Sequence, residues 1–481
     1  AKAFDQDGNR DYLGGEAHDT WRQARIGGRT DIDLDDGRVL QISAEAYRGS
    51  SGMDVWDYSA LPNLVTFPAR DEFNGAFATA EWSATGQAYA HIALRGIADY
   101  TNRDSIIFDE RRNTYELELQ HNLPTIGRHQ AIWGLGARYT YDVAGQSSIG
   151  VYPNSESLAI LNGFAQDDMA FLNDALHVIA GGKIEHSEYI GTQFMPSLRV
   201  RYNESERTMF WAAVSRGVRS ASRLERDVRV TDLLPTLPPF SPFNPTPAPL
   251  GVEIWGDPNF RAEKLQAFEF GLRSRLADAF SIDVATYYNK YEDIRGVKLL
   301  PPLCSPSMTP LATDPLCVFT ATKIVVPMQY TNLLSGHTWG AELTATWNPA
   351  RQWRLIGSYA YLDHSFQENP VDFGIFQLDF AKLAEGLDAR NQWTLRSNLS
   401  IGAKWDWDVT LRHVDALPTS EAPAYTEANT RIAWRPRMGF ELALVGENLL
   451  RPDHREFVSD FVDLSPVSIK RSVRVQARWS F

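Results

Sequence analysis

The chain of 481 residues lacks any long apolar run. Its mean hydropathy is -0.31, and no stretch approaches the ~18 consecutive apolar residues that a membrane helix requires. A helical anchor is excluded within the sequence. A membrane β-strand is not, because only its alternate residues meet lipid. Positive charge is also short: 47 Lys and Arg stand against 60 Asp and Glu, a net charge of -13. This speaks against a nucleic-acid binder, which carries a basic patch or stripe. Cysteine is nearly absent. Cys304 and Cys317 share one Pro-rich segment, PPLCSPSMTPLATDPLC, with no CxxC or His/Cys cluster to suggest zinc. Their closeness favours one local disulfide over two unrelated thiols. That bond implies an oxidising compartment and a stabilisation of roughly 3 kcal/mol. Catalytic signatures are missing too: no HExxH, no Gly-x-Ser-x-Gly, no P-loop. GLGARY, from Gly134 to Tyr139, is half a dinucleotide fingerprint inside an alternating stretch, where inward glycines more simply leave space. Asp406 and Asp408 lie on one strand face, as a solvated wall rather than an acid/base pair.

Aromatic residues, by contrast, are plentiful, at 12%. The closing stretch RSVRVQARWSF sets Val473, Val475, Ala477, Trp479 and Phe481 against Ser472, Arg474, Gln476, Arg478 and Ser480. Period-two alternation of this kind is a strand signal. It recurs along the whole chain, in YELEL, WGLGARYTY, FEFGLRSRL and KWDWDVTLRHV among others, in segments of about ten residues that match a tilted strand crossing a bilayer. Trp339, Trp347, Trp353, Tyr359, Tyr361, Trp393, Trp405, Trp407 and Trp434 sit on the apolar faces as an aromatic girdle would. Tight turns are expected around Asp36-Gly37, Pro349 and Pro436. Long loops are expected at 49–70, 144–157, 220–262, 296–322 and 367–388. Alternating short and long connections predict an all-β fold, a transmembrane antiparallel barrel of about 20–22 strands with long extracellular loops. A soluble sandwich does not need five such loops.

Several stretches resemble one family, the TonB-dependent outer-membrane receptors. Asn162 to Tyr202, with its Phe-x-Gln-Asp strand and Pro-x-x-Arg segment, is similar to the receptors' mid-barrel run. WAAVSRGVRSASRLERD resembles the strand that ends in their Arg-rich box. DPNFRAEKLQAFEFGLR and ALVGENLLRPDHREF resemble the opening of the next strand and the penultimate-strand Asn-Leu signature. Trp479 and Phe481 then read as the C-terminal insertion signal recognised by the barrel assembly machinery. The resemblance covers residues 1–481 as a barrel domain. Neither the family's N-terminal plug nor its TonB-contacting box is seen, and AKAFDQDGNRDYLGG resembles an early barrel strand, so the plug and a first strand or two are expected to lie outside these residues. That start has no signal peptide and reads as a mature or truncated product.

What the resemblance implies is a bacterial outer-membrane, multi-pass barrel that is not an enzyme and carries no cofactor. Its expected partners are the TonB-ExbB-ExbD energy complex, outer-membrane lipid and lipopolysaccharide, and a small ligand, foremost a ferric siderophore. Cobalamin, haem and oligosaccharide are alternatives. Haem is disfavoured because no His lies between Arg216 and Asn259. A passive porin and a secreted β-rich adhesin or carbohydrate-active enzyme are the other classes. Candidate ligand contacts from the residues themselves are Trp56 and Tyr58, then Phe240, Phe243 and Trp255 around the Pro-rich LLPTLPPFSPFNPTPAPLG. That segment is expected to be stiff and extended. Arg216, Arg219 and Arg223, with Arg226, are expected to form a basic cluster that suits an anionic chelate.

Overall fold

In the computed structural model, all residues are described except 12–13, 58–64, 88–89, 146–148, 232–235, 242–243, 369–379, 457–463 and 481. The predicted contacts Tyr58 and Phe243, and the terminal Phe481, lie outside the described residues. Twenty strands follow one another as antiparallel neighbours. They are β1 (Lys2–Gln6), β2 (Trp21–Asp33), β3 (Arg38–Asp57), β4 (Val65–Gly86), β5 (Ala90–Asp104), β6 (Glu110–Asn122) and β7 (His129–Ala144). Then come β8 (Ser155–Phe171), β9 (Leu176–Ser187), β10 (Gly191–Asn203), β11 (Thr208–Arg219), β12 (Glu263–Ala277), β13 (Phe280–Leu299) and β14 (Lys323–Ala350). Last are β15 (Trp353–Glu368), β16 (Asn391–Ile401), β17 (Trp405–Val414), β18 (Tyr425–Arg437), β19 (Phe440–Glu447) and β20 (Ser472–Trp479). With five short loop strands they make one 25-stranded sheet.

The two ends of this meander meet. Arg10–Asp11 pairs with Val467–Ser468, Lys470 Nζ donates to Gly8 O at 2.8 Å, and Arg10 lies 3.5 Å from Asp453. Contacts spanning almost the whole sequence thus tie the first loop to the last, and the sheet forms an antiparallel barrel.

Alternation sorts the side chains. On β7, Leu135, Tyr139 and Tyr141 are exposed on the outer face, while Arg138 turns inward and pairs with Glu116 of β6 at 2.9 Å. The girdle residues Trp339, Trp347, Trp353, Trp393, Trp405, Trp407 and Trp434 are all exposed. Trp405 and Trp434 stack at 6.0 Å. Inward carboxylates are neutralised across strands: Arg431 contacts Asp408 at 3.3 Å, and Arg435 contacts Asp406 at 2.5 Å. The space at inward Gly134 is not open lumen. A Cβ there would come within 2.5 Å of the Phe164 ring, so the glycine makes room for an aromatic on the neighbouring strand.

Connections divide by end. One end has short turns; at Asp35, Asp36 and Gly37 the chain takes φ of 69°, 52° and 74°. Pro349 and Pro436 finish strands β14 and β18, and the turns themselves follow at 351–352 and 438–439. The first expected long loop, 49–70, is mostly strand instead: β3 and β4 stay paired out to Asp57 and Val65. Two further long connections, 415–424 and 448–471, join the others at the opposite end.

Candidate functional site

The described residues of the long connections build a cap with its own core. Ile107, Ile149, Ala221, Val228, Val230, Phe260 and Tyr330 are buried together, packed by Met53, Val55, Ile254, Val297 and Leu464. These residues come from six different connections or strand ends, so hydrophobic burial, roughly 25 cal/mol per Å², fixes the loops relative to one another. Short backbone ladders reinforce it. Val228–Val230 pairs with Ile149–Val151 and with the segment Leu250–Trp255, which in turn runs parallel to Ile324–Gln329.

The expected basic cluster is not brought together. On a strand, residues three apart fall on opposite faces, so Arg216 and Arg219 of β11 diverge. Arg216 shares the outward parity of Val214 and bonds Gln193 Oε1 at 3.3 Å and the Phe194 carbonyl. Arg219 turns inward and grips Glu263 with two bonds of 2.6 Å, as well as Glu225 at 3.0 Å. Arg223 opens the short helix Arg223–Asp227 (α1), whose start is a capping box of Ser222 and Glu225. Its guanidinium meets Asp227 at 3.1 Å, Glu156 at 3.4 Å and Asp142. Arg219 and Arg223 fasten the 220–262 connection to the barrel rim, whereas Arg216 bonds only the neighbouring strand β10. Burial, the largest influence, and the neighbouring Glu156 push the Asp227 carboxyl up to about 6, against the pull of Arg223.

In the 220–262 connection, Arg226 and Arg229 carry no carboxylate partner among the described residues. Arg226 lies 4.1 Å over the Tyr189 ring, and the exposed Arg229 lies 4.3 Å over Trp255. Trp255 is oriented by its indole N–H, which donates to Glu253 at 2.9 Å. Arg229 escaped the sequence reading because it stands apart from the Arg-rich run; its partner Trp255 did not. Trp56 shares the outward parity of Ala44 and Ala46, whereas Met53 and Val55 turn into the cap core.

Phe240 stands 74% exposed at the tip of the Pro-rich segment, with φ of 51°. The described residues of that segment fold back rather than run extended, contrary to expectation. Leu237 pairs with Leu250 and Ser241 with Asn244. Asn244 is completely buried and donates to the carbonyls of Leu237, Pro238 and Ala248 at 3.3, 3.1 and 2.9 Å. Proline removes backbone donors, so a buried side-chain amide supplies them and bends the loop on itself. Beside it, Cys304 and Cys317 are disulfide-bonded with Cα atoms 6.0 Å apart, both buried. The 3₁₀ turn Pro315–Phe319 leaves Leu316 and Phe319 exposed.

This geometry offers an apolar outer wall, a charged interior and a packed cap whose 220–262 connection presents rings and two guanidinium groups without a carboxylate partner among the described residues. The inward carboxylates described above are paired with arginines rather than poised for acid/base work.

Comparison with known proteins agrees. The family described as TonB dependent receptor-like, beta-barrel matches residues 2–449. No curated protein matches the chain in sequence. Among solved structures, the ferric enterobactin receptor from Pseudomonas aeruginosa superposes with a TM-score of 0.71 at 13% identity, over 99% of this chain and 72% of that one. The siderophore receptor PirA from Acinetobacter baumannii gives 0.71 at 11%, over 99% and 72%. The copper transporter OprC gives 0.69 at 12%, over 100% and 77%. At such identities these likenesses establish the fold.

Proposed function

Since the chain belongs to the TonB-dependent receptor family through its β-barrel, we propose that it resides in the bacterial outer membrane and imports a scarce nutrient, a ferric siderophore. The cap is then the outward, ligand-receiving end. The exposed apolar face meets lipid and lipopolysaccharide, and the TonB-ExbB-ExbD complex supplies energy through a plug domain within the barrel.

One observation carries the ligand class: Arg229 over Trp255 at 4.3 Å, exposed on the cap. A guanidinium fixed against an indole pairs positive charge with a flat surface, and an anionic chelate with aromatic rings satisfies both. Phe240 adds an exposed ring to the half-buried one of Trp255, held by the Asn244 clamp at low entropic cost. Names of similar structures point the same way for those proteins: two are siderophore receptors.

The test is tryptophan fluorescence of the purified full-length receptor, titrated with ferric catecholate and ferric hydroxamate chelates. Saturable quenching by one class at micromolar concentration or below is expected. No quenching by any ferric chelate, together with steady open conductance in planar bilayers, would replace this reading by a passive channel.

A further inference from the structure

Near the cap, on the inner wall, a second site is assembled that the chelate reading does not use. Arg412 of β17 and Glu427 of β18 are cross-strand partners, next to the pair Val414 and Tyr425. The last long connection folds down onto them. Its residues Asp453–His454 pair with Ile469–Lys470, which sets the His454 ring on Tyr425 at 4.2 Å and 28°. The His454 side chain is only 2% exposed. Its Nε2 lies 3.1 Å from Glu456 Oε1, and one ligand atom each from Glu427, His454 and Glu456 falls within 4.8 Å of the other two. Among the described residues no other His, Cys, Asp and Glu trio comes this close.

The bland alternative is an ion-pair network, because Arg412 Nη1 reaches Glu456 at 3.3 Å and Glu427 at 3.6 Å. Charge and geometry both go beyond it. Two carboxylates face one guanidinium and an imidazole, which leaves negative charge in excess. The 3.1 Å separation of Nε2 and Oε1 is near the ~3.4 Å expected between two donors about 2.1 Å from one tetrahedral metal. His454 is immobilised by stacking and strand pairing, as a metal ligand should be. Glu456 and Arg412 are 28% and 38% exposed, so one can close on an arriving ion while the other swings away.

We propose that Glu427, His454 and Glu456 form a binding site for a borderline divalent transition ion such as Zn²⁺ or Co²⁺, with Arg412 as the built-in competitor. One imidazole and two carboxylates suit these ions better than Mg²⁺ or Ca²⁺, which favour six or more oxygens. An ion there ties His454 and Glu456 to Glu427 on the wall strand β18.

The test uses the tag-free full-length receptor in detergent, titrated with Co²⁺ and followed by its visible ligand-field absorption. We expect one Co²⁺ per chain, displaced by Zn²⁺. His454→Gln and Glu456→Gln should each weaken binding by about tenfold or more. Arg412→Gln should strengthen it, which a purely structural salt bridge would not do. Retention of the heat-modifiable folded band on gels qualifies each variant, and Glu427→Asp serves where Glu456→Gln fails that check. Absence of the Co²⁺ band in the parent protein, or Co²⁺ binding unaffected by His454→Gln, overturns the site. No siderophore enters this measurement, so its failure and that of the transport reading are separate results.

Discussion

At the scale of single residues, the arginines of the cap divide into fasteners and free cations, and substitution should tell them apart. Arg223 faces Asp142, Glu156 and Asp227. Arg223→Ala leaves those carboxylates without their cation and should loosen the loop by about 3 kcal/mol, read as faster protease cleavage within 220–262 of the intact protein. Arg229→Ala strands no carboxylate among the described residues. It should leave that cleavage unchanged and weaken chelate binding by about tenfold, the upper range of an exposed cation–π contact plus its charge. Asp227 adds a pH dependence. Its carboxyl is pushed up from 3.8 to about 6 by burial and by Glu156, so the folded loop holds the proton more tightly than the unfolded one. Anchoring is weakest above pH 6 and strengthens as pH falls from there towards 4. Amides of 222–230, corrected for intrinsic exchange, should therefore be better protected at pH 5 than at pH 8, and Asp227→Asn should flatten the difference. None of this pairing was legible beforehand. The Arg-rich run showed its charge, but Asp142 lies 81 positions from Arg223, and only the fold brings them together.

Among the elements, strands were the readable part and loops were not. Leu135, Tyr139 and Tyr141 against Arg138 is a pattern that physical alternation dictates, and the same rule should have warned that Arg216 and Arg219 diverge. The Pro-rich connection was misread because proline content speaks for stiffness, while its actual course depends on Asn244 finding three carbonyls. That assigns the amide a decisive role. Asn244→Ala removes these three amide bonds together with the acceptor of the Thr246 N–H and hydroxyl, a loss of about 1–3 kcal/mol in the anchoring of the loop. The outcome should be rapid proteolysis at 236–250 with the barrel intact, accompanied by loss of the Phe240 contribution to ligand quenching. Cleavage as slow as in the parent protein would mean that the Leu237–Leu250 pairing holds the loop unaided.

For the whole molecule, the decisive property under the proposed outer-membrane reading is that one sheet separates two solvents. The first and last connections are tied by contacts such as Lys470 to Gly8, 462 positions apart, which no local pattern announces. The two faces, however, follow from alternation alone and can be tested on a single strand. Leu135 and Thr140 both belong to β7, with Leu135 exposed on the outer face near its middle and Thr140 of opposite parity. An arginine at 135 must sit in hydrocarbon at a cost of about 2–4 kcal/mol, whereas one at 140 enters a wet, charged interior at little cost. Leu135→Arg should therefore depress the folded, heat-modifiable fraction recovered in lipid vesicles, while Thr140→Arg leaves it near the parent level. In a water-soluble β-protein the order reverses, because the outer arginine would be harmless and the inner one crowded. Equal losses from both substitutions would argue against a lipid-facing wall, and with it against the site of action on which binding, passage and energy coupling all depend.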